Sequence, residues 1–187
     1  NMGGAFKSLK GQFLLDGGKL NGSFFHRAVV FVCQHDPEGA FGLMINRPTG
    51  HTIQELSSEV IPEQYEEMSV QVGGPVQPGA LSFLITDSFI DEEQIIPDVS
   101  LGHSFEQLIE LSKSFSPHRG IKLYSGYSGW SSGQLEDEIE NGSWMIQPAS
   151  RKLLFDLDAN NLWRHIMHQQ GWEERMLADS PDDLSSN

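Results

Sequence analysis

The chain is predicted to be a mixed α/β protein, with strands and interspersed helices sharing one sheet. Three observations predict this. Two apolar, β-branched runs flank the turn Asp36-Pro37-Glu38-Gly39, the sign of a β-hairpin. Two capping boxes, Thr52-Ile53-Gln54-Glu55 and Ser104-Phe105-Glu106-Gln107, mark helix starts between later strand-like runs. A glycine-rich segment, Gly126 to Gly133, joins a strand-like run to a helical one. Hairpins mixed with crossovers favour a mixed sheet, α/β or α+β, over a regular doubly wound fold.

Taken in order, Gln12-Phe13-Leu14-Leu15 is a short apolar strand, and Ala28–His35 and Phe41–Asn46 form the hairpin. Pro48 and Gly50 are expected to break the sheet. Thr52 opens a short helix that Pro62 closes. Strands follow at Ser69–Val72 and Ala80–Thr86, then an acidic loop over Asp87–Asp98 with a short strand at Gln94–Ile96. The second capping box opens a helix to about Phe115 whose Phe105, Leu108, Ile109 and Leu111 share one face. Ile121–Tyr127 returns to strand, Gln134–Glu140 is helical up to Asn141-Gly142, and Trp144–Ile146 is a strand. Leu162–Gln170 is a helix ended by Gly171.

The 187 residues fit one domain, here residues 1–177, followed by an acidic tail from Ala178 to Asn187. A lone cysteine, Cys33, sits inside the apolar run from Ala28 and is expected to behave as a small hydrophobe. With no secretory pattern, this points to the cytoplasm. That six-residue run is the longest strongly apolar one, against roughly 18 needed to span a bilayer. The balance of 26 acidic against 12 basic residues, net −14, repels phosphate backbones and anionic headgroups. Neither nucleic acid nor membrane is therefore an expected partner. Only Arg151-Lys152 are adjacent among the basic residues, and the helix from Leu162 carries only Arg164, so no basic recognition helix is present.

Chemistry is sought at three glycine-containing segments that follow or leave strands. These are Gly39 through Asn46-Arg47-Pro48, Gly73-Gly74-Pro75-Val76, and Gly126 through Gly133-Gln134. Glycine lets the main chain approach closely, and the N–H groups that open the following helix favour anions. Trp130 would supply an apolar wall, with Ser132 or Gln134 adding hydrogen bonds. Trp130 as an ordinary core residue is the plainer alternative. Arg47 either pairs with Asp36 or Glu38 across the hairpin or faces the hollow and attracts an anion. No Lys-Ser/Thr pair follows the glycines, which excludes a Walker A loop.

These stretches resemble the YqgE/AlgH family of bacterial proteins. The likeness runs through Gln34-His35-Asp36 to Asn46-Arg47-Pro48, then Gly73-Gly74-Pro75-Val76, then Gly126-Tyr127-Ser128-Gly129-Trp130 with Gly133-Gln134-Leu135-Glu136. Fainter echoes at Gly11-Gln12-Phe13-Leu14 and Leu153-Leu154-Phe155-Asp156 extend it over residues 11–172. Gln34 departs from the pattern, where an acidic residue is usual. The resemblance implies a single domain whose sheet curls into a bifurcated, barrel-like core flanked by helices. Members are commonly labelled transcriptional regulators, and the family brings no catalytic residues to carry over.

The expected function is therefore binding of a small molecule or protein partner in a regulatory setting, with no cofactor and no metal. The expected ligand-binding residues are Asn46, Arg47, Gly73, Gly74, Pro75, Gly129, Trp130, Ser132, Gly133 and Gln134. The alternative is a hydrolase-like enzyme using the cleft near Trp130. Gly129-Trp130-Ser131-Ser132-Gly133 fits G-x-S-x-G, with Asp156 or Asp158 and His165 or His168 following in order. Little chain is left for the strands such folds need, and the helical wheel turns His165 and His168 to solvent. His165 and His168, three apart on a helix, could chelate a metal but read as an exposed polar face, His35-Asp36 is a turn-adjacent pair rather than a ligand set, and Asp91-Glu92-Glu93 lacks the alternating oxygen ligands of a calcium loop.

Overall fold

The computed structural model describes residues 5–86, 93–114 and 120–171. Its strands are β1 (Gln12–Asp16), β2 (Val29–Asp36), β3 (Gly39–Met44) and β4 (Pro48–Thr52), then helix α1 (Ile53–Leu56). Next come β5 (Ser69–Val72), β6 (Val76–Ile85), β7 (Glu93–Ile96), β8 (Val99–Gly102) and α2 (Phe105–Ser112). The chain continues through β9 (Ile121–Ser131), α3 (Gln134–Glu140), β10 (Trp144–Pro148), α4 (Arg151–Phe155) and α5 (Leu162–Gln169). Short 3-10 turns lie at Glu63–Tyr65 and Ala159–Asn161. The acidic tail from Ala178, the loop residues 87–92 and Phe115 lie outside the described residues.

One strongly curled, half-barrel sheet runs in the order β10-β1-β2-β3-β9-β6-β8-β7, with β4 and β5 branching from it. Every described pairing is antiparallel except β5 on β9. The branch is set by β9. Its first half holds β6 on one edge and β5 on the other, pairing Val70 with Leu123 and Val72 with Ser125. Its second half takes β3 instead, from Gly42 opposite Ser128 to Gly39 opposite Ser131. The sheet forks where β3 gives way to β5, and the expected curled, bifurcated sheet is present.

The curl is filled by three apolar clusters. Phe13, Leu15, Phe31, Leu43 and Tyr124 pack under Trp163, Ile166 and Met167 of α5. Leu108 and Leu111 of α2 cover Phe83, Ile85 and Leu123. Leu14, Val30, Val32 and Met44 meet Trp130, Leu135 and Trp144. Cys33 is fully buried, as a small hydrophobe would be. No described helix is long and apolar enough to cross a membrane.

Local signals set several boundaries. Ser104 accepts from the Gln107 N–H, and Gln107 accepts from the Ser104 N–H, so both sides of the capping box form. Thr52 and Glu55 do the same at α1, which ends at Ser57 rather than at Pro62. Two expectations are revised. Pro48 does not break the sheet; it begins the edge strand β4, where its missing N–H is tolerated. The glycine-rich segment from Gly126 is mostly strand, since β9 continues to Ser131 and only Ser132-Gly133 turn. Strand β8 and helix α4 were not anticipated.

Candidate functional site

Asn46 and Arg47 follow β3 and fasten the loop that joins β1 to β2. The Asn46 Oδ1 accepts the Val29 N–H at 2.8 Å, and its Nδ2 donates to the Arg27 carbonyl at 2.9 Å. The Arg47 guanidinium donates to the carbonyls of Phe24 (3.1 Å) and His26 (3.0 Å) and lies 5.7 Å from the Phe24 ring centroid. Pairing with Asp36 or Glu38 does not occur; Asp36 Oδ1 accepts the Glu38 N–H within its own turn. Arg47 is half-buried, and the loss of water depresses its pKa.

Gly73 and Gly74 sit at the fork of the sheet. The Gly73 carbonyl accepts the Met44 N–H (2.7 Å) and the Ser128 hydroxyl (3.0 Å), and its N–H donates to Ser125 (2.8 Å). A Cβ on Gly73 would overlap the Gly126 carbonyl, and one on Gly74 would overlap the Tyr127 carbonyl. Glycine here lets two backbones touch. The Val72 N–H donates to the Arg47 carbonyl at 2.6 Å, which ties this joint to Asn46-Arg47. Pro75 is exposed beside it, and Gly129 is exposed farther along β9.

The turn after β9 meets a different neighbour. Ser132 Oγ donates to the Pro37 carbonyl at 2.6 Å, packing this turn on the β2–β3 hairpin. The Trp130 indole is 7% exposed inside the third cluster, and its Nε1 donates to Glu138 at 2.9 Å. Gln134 Oε1 accepts the Ser131 N–H (3.0 Å) and hydroxyl (3.3 Å), while its Nε2 donates to Glu138 (3.0 Å). Gly133 precedes α3 with φ +78° and open space around it. Close by, the buried His35 ring takes the Leu9 N–H on Nδ1, which leaves Nε2 to donate to Glu136 at 3.2 Å.

The structure thus brings Asn46-Arg47 and Gly73-Gly74 together and sets Trp130 through Gln134 beside the hairpin turn. Open volume lies on the Asn46-Arg47 side. A cavity of about 280 Å³ runs between Arg27, Asn46 and Arg47 on one wall and Asn160, Trp163 and Arg164 on the other. Two larger hollows flank β4 and β5. One of about 370 Å³ is lined by Ile53, Leu81, Phe105 and Tyr124, and one of about 460 Å³ by His51, Gln71, Lys122 and Asp158. None of the three is lined by Gly73, Gly74, Pro75, Gly129, Trp130, Ser132, Gly133 or Gln134.

Sequence reasoning missed Arg27, Trp163 and Arg164 as cavity residues. Arg164 and Arg27 lie far apart in the chain and carry no motif. Arg27 holds φ +56°, a left-handed backbone that no pattern announces. The α5 wheel was legible: Leu162, Trp163, Ile166 and Met167 are buried, and His165 and His168 are exposed.

Comparison with known proteins places this arrangement. The model of the AlgH-like family, DUF179, matches residues 13–175. A UPF0301 protein of Shewanella frigidimarina is 34% identical over 174 residues, covering 89% of this chain and 93% of the relative. One of Chlamydia muridarum is 33% identical over 185 residues, covering 95% of each. The solution structure of the AlgH protein from Pseudomonas aeruginosa superposes with a TM-score of 0.74 at 25% identity, over 91% of this chain and 93% of that one. A crystal structure of a Corynebacterium diphtheriae protein shares the fold, with a TM-score of 0.69 at 19% identity over 88% of each chain. The curled, forked sheet and the matched span agree: the chain belongs to the AlgH-like family.

Proposed function

We propose that this protein works by reversible, non-covalent binding of a small molecule, in a regulatory setting, at the cavity beside Asn46 and Arg47. One observation carries the reading. Of the candidate residues, these two border open volume, while Trp130 and Gln134 are engaged in internal hydrogen bonds. A volume of about 280 Å³ lies just below the usual range of ligand sites, roughly 300 to 1,000 Å³, and so suits a small ligand. Any effect on transcription then passes through the bound state or a protein partner. A net charge of −14 opposes direct contact with DNA, and a cytoplasmic setting accords with the lone buried cysteine.

The hydrolase alternative needs a base on Ser131. Its hydroxyl is instead given to Gln134, whose amide is neither acid nor base. The test is a compound screen read by thermal shift, with each hit mapped by amide chemical-shift changes. Hits that move Asn46, Arg47 and Trp163 support the reading. Hits that cluster only around Trp130 and Ser131, or acylation of Ser131 by a fluorophosphonate, overturn it.

A further inference from the structure

We infer that the cavity of about 460 Å³ between β4, β5 and β9 on one side and the α4–α5 connection on the other binds a small zwitterion of the amino-acid or dipeptide class, its carboxylate on Lys122 and its ammonium on Asp158. This hollow shares only Pro48 and Asn160 with the one beside Asn46 and Arg47, so the inference goes beyond that reading and does not need it. Its volume lies within the usual range of ligand sites, roughly 300 to 1,000 Å³.

The sheet places two of the groups. Parallel pairing sets Gln71 of β5 beside Tyr124 of β9, and Lys122 precedes Tyr124 by two positions. Alternate residues of a strand share a face, so Gln71 and Lys122 leave the sheet on the same side. On that face Tyr124 packs with Leu154 of α4 and Leu162 of α5. Asp158 comes from the connection between these two helices and lines the cavity next to Leu157.

Both charges lack a counterpart. Lys122 is partly buried, and among the described residues it forms no hydrogen bond and no ion pair. Carboxylates are in excess in this chain, 26 acidic against 12 basic residues, yet none lies within pairing distance of it among the described residues. Asp158 accepts from the Asn160 N–H (3.1 Å) and from Asn161 Nδ2 (3.4 Å), both neutral, and among the described residues no cation pairs with it. Opposite charges that border one cavity without bonding to each other suit a ligand that meets both by charge-assisted hydrogen bonds. His51 lies on the same wall but is already engaged, 3.8 Å from Glu55.

Gln71 adds a third open group. Its Oε1 is buried without a hydrogen-bond partner, a costly state that turning the amide toward a ligand N–H would relieve. An ammonium or peptide N–H supplies that donor. A zwitterion carries no net charge, so the field of a chain at −14 does not repel it as it would a plain carboxylate.

Calorimetric titration of the full chain with L-alanyl-L-alanine and with L-alanine tests this, with amide chemical-shift mapping to locate the site. Expected is saturable one-to-one binding of at least one probe that moves Ser69, Gln71 and Lys122, and the tighter probe sets the ligand length. Capping either end of that probe, as its N-acetyl form or its C-terminal amide, should cost about tenfold or more. Lys122→Gln should lose about tenfold for the uncapped probe and nothing for the C-terminal amide. Asp158→Asn keeps an oxygen to cap the turn at Ala159, and should lose about tenfold for the uncapped probe and nothing for the N-acetyl form. Gln71→Met should unfold at no lower temperature than the parent yet bind more weakly, which a purely structural glutamine would not do. No saturable binding of either probe, capped compounds that bind as tightly, or parental affinity in both charge variants would overturn the inference. Shifts confined to Arg47 and Trp163 would also overturn it, while supporting the cavity beside Asn46.

Discussion

Trp130 and Trp144 stand edge to face, 6.3 Å between ring centroids at 72°, and both indole N–H groups donate to the same Glu138 oxygen at 2.9 Å. One carboxylate on α3 therefore fixes the end of β9 and the start of β10. Both indoles are buried, so removing the acceptor leaves two N–H donors without it. Glu138→Ala should cost about 2–4 kcal/mol, because each buried unsatisfied donor costs roughly 1–3 kcal/mol. Glu138→Gln, which keeps one oxygen acceptor, should cost less than half of that. The check is the urea midpoint at unchanged m-value; equal midpoints for Glu138→Ala and parent would refute the bridge.

Two glycines of the candidate site should respond very differently to alanine. At Gly74 the added methyl would overlap the backbone of Tyr127 and Ser128, and neither strand can move without opening the fork. Gly74→Ala should cost more than about 4 kcal/mol or abolish folding. Gly133 has open space and pays only for its left-handed φ of +78°. Gly133→Ala should cost about 1–2 kcal/mol. Thermal unfolding of the purified variants separates the two, and comparable losses would show that close approach is not what Gly74 provides.

The contrast shows what was legible in the linear chain. Local chemistry read well: the Ser104–Gln107 capping box, the hairpin turn before Gly39 and the apolar face of α5 each depend on residues within a few positions. The ten-residue β6 and the full length of β9 read less well. Their extent is set by partners on both edges, and β9 overrides the turn tendency of Gly126 and Gly129 by pairing with β6 and β3. Trp130 could be wall or core, and only the Glu138 oxygen six to eight positions away decides for core. The arginine cavity was illegible because Arg27 and Arg164 meet only after α5 docks across β1 and β2.

Tyr124 makes stability depend on alkaline pH. Its phenol is fully buried, and burial, reinforced by the Cys33 thiol once ionised, holds its pKa far above the ordinary 10.0. The native state keeps the proton while the unfolded chain releases it near pH 10. The stabilisation is thus complete below pH 10 and is lost as pH rises beyond it. Each pH unit above that point should remove about 1.4 kcal/mol through this residue. Tyr124→Phe should flatten the loss between about pH 10 and 11 by that amount, provided its own packing at pH 7 is unchanged. Denaturant midpoints measured across this range give the slope, and parallel slopes would show that Tyr124 titrates normally.

Asn46 should govern the rigidity of the cavity wall. Its side chain accepts from Val29 and donates to Arg27, closing the base of the β1–β2 loop whose carbonyls Arg47 holds farther out. Asn46→Ala removes both bonds from partly buried groups and should cost about 1–3 kcal/mol. Asn46→Asp keeps the acceptor but loses the donor, and it places a carboxylate beside the arginines. It should therefore fold better than Asn46→Ala. Hydrogen exchange at the Val29 amide distinguishes a local role from a global one. Protection there should fall further in Asn46→Ala than at Phe31, in the middle of β2, whose amide reports the whole fold. Equal losses at the two amides would mean that Asn46 supports the sheet at large rather than the loop that carries Arg27.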